Sequence, residues 1–400
     1  VADTSIVDPA DGQRTRFLLL YALAVAGGAV AYVPFLTILL PVRVEGVAGA
    51  RSIEWLAYCA FAGAIAASLA NIAFGWLSDI TRNRRGWIAG GLVLSSAMLL
   101  ALTQARDLPM LIAMLVVWQI ALNMMLGPLS AWAGDVVPDR QKGLLGGLLA
   151  FAPALGAVSG ALVTIPGLAA PDERMAIVAA LVVACVAPVL IFGRPTPFPE
   201  LMQPHEEPPL PDPHQPRRIV ARMWLARLLV QVAEAALFAY LYLWLRSISP
   251  EIGDNDAAKV FGLVLFLAVP ATLSVGRWAD RADRPILPLA IAAGVSALAL
   301  LAMAAAPGLT AALVAYAVFG LAAGMFLALH TAQTLRVLPR PQRRGRDLGV
   351  FNLTNTMPSL IMPPLTLGLV PVFGFGGLFI ALATLAALAC LLLGTTRIPR

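Results

Sequence analysis

Charge is what this sequence has least of. Only 12% of its residues are Asp, Glu, Lys or Arg, against roughly a quarter in a soluble domain, and its mean hydropathy is +0.83. That excludes an ordinary water-soluble fold. Alternation of apolar and polar residues is missing too, which excludes a barrel of membrane strands. There are only 3 cysteines; Cys59, Cys185 and Cys390 all fall within apolar runs, without CxxC or metal-ligand spacing, and are expected to pack. Histidine is as scarce, at 3 residues. Two of these, His205 and His214, lie in a proline-rich stretch where nothing preorganises a metal site. No HExxH, GxSxG elbow, P-loop or nucleotide-binding pattern occurs, so neither an enzyme nor a cofactor or metal is expected.

What the chain does have is a succession of apolar runs of about 17 to 28 residues, each long enough to cross a hydrocarbon core about 30 Å thick. Twelve helical spans are predicted, over 17–41, 53–76, 87–104, 108–134, 143–168, 174–193, 218–246, 257–278, 286–305, 309–335, 348–372 and 374–394. The first is too long for a signal-peptide core, lacks a small-residue cleavage site and follows a polar leader, so it is expected to remain as a helix. Lys and Arg number 28, and most gather in alternate connections, from Arg14 and Arg16 through Arg82, Arg84 and Arg85 to Arg343, Arg344 and Arg346. The opposite side holds only Arg43, Arg51, Arg106, Arg174, Arg246 and Lys259. The positive-inside rule then puts both termini in the cytoplasm of a bacterial-type inner membrane. The net charge of +6 follows from this topology, and no nucleic-acid partner is expected.

One break in composition divides the chain. Residues 193–218, GRPTPFPELMQPHEEPPLPDPHQPRR, contain nine prolines and should form an extended linker, 194–217, between a bundle over 1–193 and another over 218–400. The flanking halves repeat each other. GWLSD, Gly75 to Asp79, returns as GRWAD, Gly276 to Asp280, each followed by arginines, and KGLLGG, Lys142 to Gly147, is echoed by RGRDLG, Arg344 to Gly349. The expected fold is therefore all-α, twelve membrane helices in two pseudo-symmetric six-helix bundles, a pattern of secondary transporters that alternate access to a central site.

A Gly-x-x-x-Asp followed by arginines between the second and third helices, repeated between the eighth and ninth, resembles the signature loop of the major facilitator superfamily, and the resemblance covers essentially the whole chain. It implies a conformational latch built from Gly75, Asp79, Arg82 and Arg84, with Gly276 and Asp280 as the second copy and the Asp79 carboxylate meeting a helix end across the two halves. The spelling DITRNRRG, Asp79 to Gly86, and the run DLGVFNLTNTMPSLIMPP, Asp347 to Pro364, are further similar to glycoside-pentoside-hexuronide and sucrose-type proton symporters. Those cation symporters carry carboxylates within the second helix, whereas here that span has only Glu54 at its outer margin. The fifth span, GGLLAFAPALGAVSG, has the glycines and Pro153 of the family's antiporter motif but not its Gly-Pro order.

Ionisable groups inside a membrane are costly and so become functional candidates. In the seventh span Arg227, Gln231 and Glu234 follow i, i+4, i+7 spacing and share one face. Burial disfavours the charge on Glu234 while Arg227, about 10 Å along the axis, favours it, which suits a carboxylate that takes and releases a proton. His330 is a second proton-coupling candidate, and equally a packing histidine. Tyr32, Gln119, Asn123, Gln231, Gln333, Asn352 and Asn355 are candidate substrate contacts, since the resemblance implies a cavity lined by the first, fourth, seventh and tenth helices; each is also apt as interhelical glue. The reading is a monomeric secondary transporter importing a small polar organic solute, a sugar or glycoside, with protons as the coupling ion. Its alternatives are a proton antiporter exporting drugs or metabolites, and a non-transporting membrane carrier or assembly factor on the same fold.

Overall fold

The computed structural model describes residues 12–149, 151–198, 215–281, 286–337, 354 and 357–395. Every regular element among them is helical. The first half contains α1 (Thr15–Pro34), a five-residue π turn (Phe35–Leu39), α2 (Leu40–Ala48), a 3-10 turn (Gly49–Arg51), α3 (Ser52–Thr81), α4 (Arg84–Ala101), α5 (Leu108–Val136), α6 (Asp139–Leu149), α7 (Ala152–Val163) and α8 (Pro171–Phe192). The second half contains α9 (Gln215–Ile248), α10 (Asp254–Arg281), α11 (Leu287–Ala304), α12 (Leu309–Val337) and α13 (Pro358–Gly394).

Ten stretches are long and apolar enough to cross a membrane. Two of them hold two passes each, which makes twelve: Thr15–Thr81 is 67 residues long, and α13 is divided at Gly374. The backbone at Gly374 has φ 65°, open to glycine without Cβ strain, and it lets the chain fold back between the last two spans. The outward faces are apolar, as a lipid-facing surface must be: Ile72 and Leu298 are each 68% exposed. The chain is a multi-pass membrane protein.

Prolines place several of the breaks. Pro34 and Pro41 each lack an amide for the helical ladder, and the π turn between them absorbs the lost register. Pro153 cannot bond back to residue 149, so the fifth predicted span is realised as two helices, α6 and α7. By contrast α9 starts at Gln215, inside the predicted linker, because Pro216 occupies a first-turn position where no amide is needed.

Two compact units emerge, and they do not follow the sequence halves. The first contains residues up to Pro34, Ala66–Ser159 and Gly167–His205; the second contains Phe35–Ile65, Gly160–Pro166 and Glu206–Arg400. Within the first unit α1 packs on α8, and α4 packs on both α5 and α8. Glycines permit the closest approaches. A Cβ on Gly91 would collide with the Met125 amide, and one on Gly127 would lie 2.8 Å from the Asn71 carbonyl oxygen. Cys185 packs over Gly27 of α1.

In the second unit α13 packs against α9 and α11, and α12 against α10, α11 and α9. Two segments from the first half join it through polar contacts. Glu45 of α2 accepts a hydrogen bond from the Tyr242 hydroxyl at 2.8 Å and pairs with Arg246 Nε at 3.1 Å. Asn255 Nδ2, at the start of α10, donates to the Ala161 carbonyl at 2.9 Å and to Thr164 Oγ1 at 3.1 Å.

Candidate functional site

The side chains of α9 divide by face. Met223, Ala226, Val230, Ala233, Ala236 and Leu237 are buried, whereas Arg227, Gln231 and Glu234 are half-buried. Burying the apolar flanks sets the rotation of the helix and leaves its polar stripe partly accessible. Arg227 is held from two directions. Its Nε donates to Gln231 Oε1 at 3.1 Å, and its Nη1 donates to the Leu327 carbonyl of α12 at 3.4 Å. A planar guanidinium with five donors can serve both partners at once.

Glu234 lies within electrostatic reach of Arg227 and of Tyr316 on α12, and the Arg227 charge also acts on His330. His330 is fully buried. Its Nε2 lies 2.9 Å from the Met223 carbonyl, a contact in which the ring nitrogen must carry the proton and donate. Phe326 packs on the imidazole with ring centroids 5.5 Å apart. Carboxylate, guanidinium, amide, imidazole and phenol thus share two adjacent helices of one unit. In this weakly screened setting the charge on Glu234 depends on the balance between its burial and Arg227. Gln333 is carried on the last turns of α12, while Asn352 and Asn355 lie outside the described residues.

In the first unit, Gln119 and Asn123 are buried on α5. Asn123 Nδ2 donates to the Gln119 carbonyl at 2.9 Å, and Asn71 Nδ2 of α3 donates to Asn123 Oδ1 at 3.2 Å. This amide pair crosses the helix interface where Gly127 allows α3 and α5 to approach. Tyr32 is half-buried on α1.

The turn between α3 and α4 gathers around Arg84. Its guanidinium pairs with Asp79 and, at 2.9 Å, with Asp135 at the end of α5; it also reaches Ser78 Oγ and, at 3.3 Å, the Gly75 carbonyl. Arg82 reverses the chain with φ 49°. Asn83 Oδ1 accepts the Gly86 amide at 2.9 Å and caps α4. Asp79 therefore has Arg84, within its own unit, as partner. Gly276 and Asp280 occupy the matching end of α10.

Asn71, Asp135 and Tyr316 are missing from the candidates that the sequence suggests. Asn71 had a signal, as one more amide inside an apolar span. Asp135 had a weaker one, as the acid that ends the fourth span, and Tyr316 had none.

A family model described as Major Facilitator Superfamily matches residues 17–284 and 223–400. No curated protein matches the sequence. Among solved structures, the chain is similar to a bacterial homologue of the human lysosomal transporter Spinster, inward-facing and unoccupied, at 14% identity and a TM-score of 0.67, covering 95% of this chain and 94% of that one. It is also similar to the human organic anion transporter MFSD10 (TETRAN), at 15% identity and a TM-score of 0.62, covering 94% of this chain and 99% of that one. At such identities the likeness concerns the fold.

Proposed function

The chain belongs to the Major Facilitator Superfamily, whose fold implies membrane transport, and on that premise we propose that it moves a small polar organic solute across a bacterial inner membrane by proton-coupled alternating access. The observation that carries this reading is the half-buried stripe Arg227, Gln231 and Glu234 on a helix whose flanks are buried. A carboxylate kept there at the expense of burial needs a use, and reversible protonation is one that alternating access can exploit. Glu234 is the proton carrier in this scheme, Arg227 sets its charge balance, and His330 positions α9 against α12 through the Met223 carbonyl. Gln231, on the same stripe, is the amide assigned to the solute, which favours a hydroxylated ligand such as a sugar or glycoside. Asn71 and Asn123 are assigned to helix packing.

The decisive experiment replaces the carboxylate. Glu234→Gln retains hydrogen bonding but cannot cycle a proton, so accumulation against a gradient should be lost in proteoliposomes while counterflow exchange of solute persists. A variant that still concentrates solute under an imposed proton gradient would make Glu234 structural.

A second reading is favoured by Arg227, a cation on the same stripe. It would suit a solute with an anionic group, which agrees in charge with the substrate class named for MFSD10. A thermal-shift screen of the purified protein with sugars, glycosides and organic anions separates the two, because a bound solute stabilises by mass action.

A further inference from the structure

A cavity of about 340 Å³ opens at the start of α1 and the end of α8, lined by Arg14, Arg16, Phe17, Ile191, Phe192 and Arg194. We propose that it binds the phosphate headgroup of an anionic phospholipid. The transport reading makes no use of it.

Its walls are held in place. Gln13 is only 2% exposed and clamps three segments: its Nε2 donates to the Val136 carbonyl at 2.9 Å and to the Thr196 carbonyl at 3.1 Å, and its Oε1 accepts the Thr196 amide at 2.9 Å. Gln141 Nε2 donates to the Gln13 carbonyl at 3.0 Å. The reciprocal pair with Thr196 holds the backbone beside Arg194 next to that of Arg14. Buried amides with their hydrogen bonds satisfied make a rigid support. Arginines on such a support lose little further freedom on meeting an anion.

The field inside the cavity is positive. No carboxylate lines it among the described residues. The start of α1 contributes the positive end of its dipole, while two of the opposing carbonyls at the end of α8 are covered: Gly193 donates to the Val189 carbonyl at 3.0 Å, and Arg85 donates to that of Leu190. Arg16 lies over the Phe192 ring, 5.9 Å from its centroid, which holds the guanidinium plane at the apolar wall.

That wall selects a lipid over a free anion. Ile191 is 63% exposed and Phe192 54%, and α1 carries Leu19 outward at 52%, so apolar surface adjoins the arginines where acyl chains would lie beside a bound headgroup. Arginine forks match phosphate oxygens, and basic pockets beside membrane helices suit such headgroups.

The test uses the purified full-length chain in detergent, with native mass spectrometry of its adducts during titration with phosphatidylglycerol or phosphatidylcholine. The wild type should prefer phosphatidylglycerol. The triple variant Arg14→Gln, Arg16→Gln and Arg194→Gln should bind it more weakly by on the order of 100-fold, from three arginines at the membrane surface, with an unchanged melting temperature in the absence of lipid because all three side chains are exposed. The triple lysine variant, which keeps the charge, should recover most of the affinity. Equal phosphatidylglycerol binding by wild type and the glutamine variant would overturn the proposal, as would equal binding of phosphatidylcholine by the wild type. A parallel melt with inorganic phosphate distinguishes the sources: protection equal to that by phosphatidylglycerol would assign the cavity to a soluble anion and overturn the lipid.

Discussion

Arg84 shows how one residue can be worth more than the motif that draws attention to it. Its side chain is 14% exposed, while those of its two acidic partners differ: Asp79 is 60% exposed and Asp135 is 27%. An exposed partner contributes little, so Asp79→Asn should cost less than about 1 kcal/mol of stability. Asp135→Asn removes the better-shielded charged hydrogen bond and should cost about 1–3 kcal/mol. Thermal melts of the two variants check the order, and a reversed order would relocate the anchor of the turn to Asp79. In transport the ranking should differ. Asp79→Asn is expected to slow flux while leaving expression intact, and wild-type kinetics in that variant would remove the latch assignment.

At the scale of helices, the glycines divide into two kinds. A Cβ on Gly75 meets nothing within 4 Å, whereas one on Gly127 would press on the Asn71 carbonyl. Gly75→Ala should therefore stabilise α3 by about 0.5–1 kcal/mol through the unfolded chain and helix propensity. Gly127→Ala should destabilise by about 1–3 kcal/mol, since α3 and α5 must part. Melting temperatures moving in opposite directions would establish the contrast. If Gly75→Ala also slows transport, the motif glycine matters in another arrangement of the helices, where its missing side chain is needed.

Over the whole molecule, segments from the first half of the sequence belong to the second compact unit. The Glu45, Tyr242 and Arg246 cluster is one reason, and Arg246 also lies over the Tyr242 ring at 5.8 Å. If α2 and α9 separate during the transport cycle, this junction has to open. Cysteines placed at Glu45 and Arg246, with Cys59, Cys185 and Cys390 replaced, and joined through two disulfides by a short bis-methanethiosulfonate reagent, should then stop net transport, and a reductant that cleaves those disulfides should restore it. Full transport by the cross-linked protein would mean that the junction stays closed throughout the cycle.

Helix length, hydropathy and the repeated Gly-x-x-x-Asp were enough to establish an all-α membrane protein of twelve passes and the superfamily to which it belongs, because those features depend on the bilayer thickness and on local periodicity. The face shared by Arg227, Gln231 and Glu234 was equally legible, since it follows from 3.6 residues per turn. Partners were not. Whether Asn123 meets a solute or Asn71, whether His330 faces a cavity or the Met223 carbonyl, and whether Arg84 finds Asp135 all depend on contacts between helices remote in sequence, for which periodicity within one helix carries no information. The arginine cavity is the clearest case. In sequence, Arg14, Arg16 and Arg194 look like ordinary positive-inside charges; only the packing of α1 on α8 and the Gln13 clamp bring them around one space.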